Sequence, residues 1–83
     1  MNEELREKLL KEFVPEKIGM RIKALRIAAG LSVIELADKV YLGKNAIYRI
    51  ERGDVTPGVS SLVFLSLALG SEATIDYMLL GRR

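Results

Sequence analysis

Within GKNAIYRIERGD, Gly43–Asp54, the residues Lys44, Asn45, Tyr48 and Arg49 stand close together, and Arg52 follows. These types carry a point charge (Lys), a planar donor fork (Arg), an amide that donates and accepts together (Asn), and a ring with a hydroxyl (Tyr). Such groups bond purine edges in a groove and the oxygens of phosphates. On a helix, Lys44, Asn45, Tyr48, Arg49 and Arg52 fall on one side, and Ala46, Ile47 and Ile50 fall on the other. The local charge agrees with that division. Lys39–Arg52 holds Lys39, Lys44, Arg49 and Arg52 against Glu51 alone, whereas Met1–Lys17 carries five acids and four bases. A basic stripe can meet phosphate even where the formal net charge of the whole chain is only +2.

Other chemistries find little support. The chain has no histidine and no cysteine, so the commonest general base and the thiolate metal ligands are missing. It has no phosphate-cradling glycine loop, and Ser60, Ser61 and Ser66 have no base nearby in sequence. The expectation is therefore a protein that is not an enzyme and that uses no cofactor or metal. At 83 residues, 49% hydrophobic and 29% charged, the chain has the composition of one globular domain. Its longest apolar run, LVFL at Leu62–Leu65, is far below the ~20 residues needed to span a bilayer. Glu3 and Glu4 do not suit a signal peptide, so a cytoplasmic location without membrane contact is expected.

The elements that must position the basic stripe all read as helices. Asn2 suits the cap of a first helix with Leu5, Leu9, Leu10 and Phe13 on one face, which ends at Val14-Pro15. Pro15 opens a second helix reaching about Ala29, with Ile18, Ile22, Leu25 and Ala29 at helical spacing and Gly30 as its stop. Ser32-x-x-Glu35 is a capping box for a short third helix, with Leu31 and Leu36 as its staple. A turn, YLG, leads into the Lys44–Arg52 helix, which Gly53 closes. VSSLVFLSLAL and TIDYMLL follow, stopped by Gly70 and Gly81, with Thr74 as a cap. No segment alternates as a strand would.

The segment from Ile18 to about Leu80 resembles the Cro/C1 (XRE-type) helix-turn-helix family of phage-repressor-like DNA-binding domains. The marks are Arg26 before the Gly30-Leu31-Ser32 corner, Leu36-Ala37, Ile47 with Ile50-Glu51-x-Gly53, then Pro57 and Leu69-Gly70. The resemblance implies an all-α fold: a five-helix repressor-like domain over residues 15–83, with an additional amphipathic helix over residues 1–14. It implies that Lys44, Asn45, Tyr48 and Arg49 read bases of double-stranded DNA. It assigns phosphate contacts to Ser32 and Val33 and to the loop of Arg52, Asp54 and Thr56. Apart from the resemblance, Arg21 is a candidate contact to the DNA backbone by its charge and its place on the second helix. The resemblance makes Arg26 and Glu51 a structural ion pair. The implied function is a dimeric repressor on a near-palindromic operator. The same fold also serves antitoxins, which bind a protein as well as DNA.

Three positions depart from the family. Val33 stands where glutamine is usual and leaves only main-chain N–H groups for phosphate there. Gly43 replaces a serine or threonine cap. Tyr41 replaces a turn glycine. A left-handed tyrosine is strained by about 1 kcal/mol, so a rearranged turn with Gly43 taking the unusual dihedral is expected.

The segment VSSLVFLSLAL contains no charged residue. Leu62, Leu65 and Leu69 are expected in the core, which leaves Val63, Phe64 and Leu67 outward. Either the N-terminal helix covers them, or a partner does. A homodimer through Phe64, Leu67, Ile75, Tyr77 and Met78 is one expectation. A different protein bound at helix 59–69 or at the N-terminal helix is another.

Overall fold

The computed structural model describes residues 1–83 and contains helices only. They are α1 (Glu3–Glu12), α2 (Pro15–Ala28), α3 (Val33–Lys39), α4 (Lys44–Glu51), α5 (Val59–Leu69) and α6 (Ile75–Leu80). None is long and apolar enough to cross a membrane.

Side-chain chemistry sets the boundaries. The Leu5 amide donates to Asn2 Oδ1 at 2.7 Å and starts α1, and the Tyr77 amide donates to Thr74 Oγ1 at 3.0 Å and starts α6. Pro15 occupies the first turn of α2. At α3 the reciprocal box is complete: Glu35 N donates to Ser32 Oγ at 3.1 Å, and Ser32 N donates to Glu35 Oε1 at 2.9 Å.

Those bonds to Ser32, its amide first, hold the Glu35 carboxyl below its ordinary range. The charged form is favoured in the fold, so its stabilisation is present above the ordinary glutamate range. It is lost as pH falls through that range to the lower folded value. Glu35→Gln keeps an acceptor for the Ser32 amide but does not titrate. Thermal midpoints between neutral and acid pH should therefore fall less steeply in Glu35→Gln than in the parent; parallel slopes would remove this role.

Five helices share one core. Ile18, Ile22 and Leu25 of α2 meet Leu36 and Ala37 of α3, Ile47 and Ile50 of α4, Leu62, Leu65 and Leu69 of α5, and Met78 of α6. The expected division of α5 holds: these three leucines are buried, while Val63, Phe64 and Leu67 are exposed. Ala29 is an exposed cap of α2 rather than a core residue.

Three expectations are corrected. First, α1 contributes no buried residue and packs on α6, so it leaves the outward face of α5 uncovered. Second, the Met78 side chain is fully buried and belongs to the core rather than to a surface where copies meet. Third, Tyr41 itself takes the left-handed conformation, φ 58°, and Gly43 stays at −73°. The turn keeps its path and the tyrosine bears the strain.

Candidate nucleic-acid interface

Helix α4 is amphipathic as built. Ile47 and Ile50 are buried, Ala46 is half-buried, and Lys44, Asn45, Tyr48 and Arg49 are exposed. The side-chain hydrogen bonds and ion pairs within the fold engage none of these four. Two amide or cationic side chains at the helix start and a ring and guanidinium one turn later form a continuous outward row.

The rod that carries them is held at its far end by α2. An added Cβ at Gly19, in the middle of α2, would lie 2.3 Å from Ile50 O and 2.7 Å from Glu51 O. Gly53, at φ 82°, brings the end of α4 against the Glu16 backbone, where a Cβ would meet Glu16 Cα at 2.8 Å. Two glycines therefore permit backbone-to-backbone approach of α2 and the end of α4. Sequence reading assigned Gly53 a closing role and missed Gly19. Its signal is a glycine inside a strongly periodic helix, a placement that costs about 1 kcal/mol against alanine unless packing requires it.

Arg26 and Glu51 add the polar half of this joint. Arg26 Nε donates to Glu51 Oε2 at 2.7 Å and Nη2 donates to Oε1 at 3.0 Å, a two-pronged pair between α2 and α4. Arg26 Nη1 donates to Leu31 O at 2.9 Å, which ties in the corner before α3. The side chains are 11% and 6% exposed. The bonds it donates to Glu51 push the Arg26 guanidinium further above its ordinary range, so it stays charged. Ala37, 5% exposed, lies on α3 where α3 packs against α4.

The flanking residues divide. Ser32 Oγ and its amide both serve the capping box with Glu35, and Ser32 stands exposed at the start of α3. The Val33 side chain is buried, so only its main chain faces outward chemistry. Thr56 is exposed, and Arg52 is exposed but paired with Asp54 at 2.9 Å. Two phosphate assignments are corrected. The Asp54 amide donates to Arg49 O at 2.9 Å and its carboxylate accepts from Arg52 Nε at 3.1 Å, which leaves it nothing to offer a phosphate. Arg21 is 11% exposed and donates to Met78 O and Glu12 O, both at 3.1 Å, with the Glu12 carboxylate 3.6 Å away. It joins α1, α2 and α6 and is withdrawn from the surface. Of the other residues expected where copies meet, Phe64, Leu67 and Ile75 are exposed, and Tyr77 is half-buried under the Arg83 guanidinium at 4.1 Å.

Comparison with known proteins agrees with this architecture. A helix-turn-helix family model matches residues 22–75, from the middle of α2 to the start of α6. The chain is 35% identical over 57 residues to the immunity repressor protein of Bacillus phage phi105. That match covers 69% of this chain and 40% of the phage protein, so the chain spans well under half of its relative. With α3, the tight turn and α4 in place, the chain belongs to the Cro/C1 (XRE-type) helix-turn-helix family of DNA-binding regulators.

Proposed function

We propose that the chain is a dimeric transcriptional repressor whose α4 enters the major groove of a near-palindromic operator. The observation that carries this reading is the row of Lys44, Asn45, Tyr48 and Arg49, exposed and unpaired on a helix fixed at its other end by Gly19, Gly53 and the Arg26–Glu51 pair. Residues 15–83 form the DNA-binding unit in this reading, and residues 1–14 are an extension. Phosphates are met by the Ser32 hydroxyl, the main chain at Val33, Arg52 and Thr56. The immunity repressor relative supports repression as the mode of action.

Asn45 and Arg49 are assigned the bases, Asn to adenine and Arg to guanine by two-pronged bonds. Asn45→Ala and Arg49→Ala should each lose about 1–3 kcal/mol of discrimination at one operator position, measured against base-substituted duplexes. Lys44→Ala, if it loses a phosphate, weakens every duplex alike and flattens the salt dependence. Selectivity unchanged in both Asn45→Ala and Arg49→Ala would refute this reading face.

The uncharged outward side of α5 and the exposed start of α6, with Phe64, Leu67 and Ile75, are assigned to pairing of two copies. A two-fold pair would set the two α4 helices about 34 Å apart, one turn of DNA. Sedimentation should detect dimer at micromolar concentration. A 9.3 kDa monomer persisting at high micromolar concentration, with and without operator duplex, would contradict pairing.

A further inference from the structure

We infer that Tyr41, in the turn between α3 and α4, belongs to the surface through which a second copy of this chain pairs, and so carries that pairing to the start of the DNA-facing helix. This rests on the homodimer proposed above. Tyr41 is the one non-glycine residue with positive φ. Glycine would hold the same backbone without strain. Yet the tyrosine is not retained by burial in its own chain, because it is 84% exposed. Its ring instead stands edge-on to Phe64, with centroids 5.8 Å apart and planes at 76°. That contact extends the apolar face of α5, where Phe64, Val63 and Leu67 are 40%, 48% and 76% exposed, across onto the turn.

The chemistry of this face suits a second copy. Two-fold pairing sets a surface against itself, so each charge near the axis would meet its own kind. The α5 segment Val59–Leu69 carries no charge, which satisfies that requirement and offers nothing for a charged partner to pair with. One α4 of eight residues contacts only a few base pairs, so discrimination among many sites needs a second. Tyr41 lies three residues before Lys44. A copy seated on its ring would brace the N-terminal end of α4, the end opposite the Gly19 and Glu51 joint.

The test uses the full chain in sedimentation equilibrium, comparing the parent with Tyr41→Gly, Tyr41→Asn, Tyr41→Phe and Leu67→Asp. Glycine and asparagine both accept the left-handed backbone, so each variant keeps the fold, checked by circular dichroism. The dimer dissociation constant should rise by about tenfold or more in Tyr41→Gly and Tyr41→Asn, as for an interface aromatic, and stay near the parent's in Tyr41→Phe. If both variants pair as tightly as the parent while Leu67→Asp is monomeric, the role of Tyr41 is overturned and the homodimer stands. A parent that is monomeric at high micromolar concentration, on and off operator duplex, overturns the homodimer and this inference together.

Discussion

Gly19→Ala is expected to destabilise the fold by about 3 kcal/mol, at the upper end for an overpacked core site. Two effects oppose each other. Alanine is the better helix former by about 1 kcal/mol, and Gly19 lies well inside α2, where that gain would be realised. Against it, the new Cβ would sit 2.3 Å from Ile50 O and 2.7 Å from Glu51 O. Both atoms are main chain, so no rotamer change can yield. They also belong to the end of α4 that Arg26 and Gly53 hold against α2. The helices must separate, and separation opens the core around Ile18, Ile22, Ile47 and Ile50. For a domain of this size, whose total stability is of order 5–10 kcal/mol, this is a large fraction. Urea denaturation should report a lower midpoint with little change in slope. DNA affinity should fall at temperatures where the variant is still folded, because the lever displaced is α4 itself. A Gly19→Ala variant as stable as the parent would mean that α2 and α4 do not approach so closely.

Much of this arrangement is written in residue types that act locally. Asn2, Ser32 with Glu35, and Thr74 announce helix starts because a short polar side chain bonds an amide two or three residues on. The division of α4 and the buried trio of α5 follow from helical periodicity, which sorts inward from outward. Periodicity does not say what an apolar face meets. The stripe on α1 was therefore compatible with α5, and its seat on α6 is decided by Arg21 bonding the carbonyls of Glu12 and Met78. Those acceptors are main-chain atoms, present at every residue and invisible in a sequence. The same gap placed Arg21 on DNA and Met78 on a surface. In the six-residue α6, Ile75 and Met78 share one face at i and i+3, yet Ile75 at the first turn is exposed and Met78 is buried, a difference that periodicity alone does not make. Tyr41 misled for a different reason. Strain argues against a left-handed tyrosine locally, but the flanking helices fix the turn and about 1 kcal/mol is too little to move them.

The Arg26–Glu51 pair should produce the other large effect. Glu51→Ala leaves a guanidinium, 11% exposed, with only the Leu31 carbonyl as partner, and Arg26→Ala leaves a carboxylate, 6% exposed, with none. Removing one member of a buried pair costs about 3–5 kcal/mol, mostly because the survivor stays desolvated and uncompensated. Arg26→Ala should be the worse of the two. It strands the less exposed charge and also frees Leu31 O, which loosens the corner before α3. If desolvation of the survivor is the cause, a double replacement by apolar residues of similar volume, Arg26→Met with Glu51→Leu, should be more stable than either single alanine variant. If instead the two-pronged bond itself supplies the stability, the double variant should be no better than the singles. The two causes also differ in what happens at DNA. An apolar double variant can restore folding without restoring direction, because packing lacks the fixed angle of two parallel N–H···O bonds between α2 and α4. Its operator affinity should then remain below the parent's at equal stability, measured by fluorescence anisotropy on a labelled duplex. Equal affinity at equal stability would reduce the pair to a stabilising contact with no part in aiming α4.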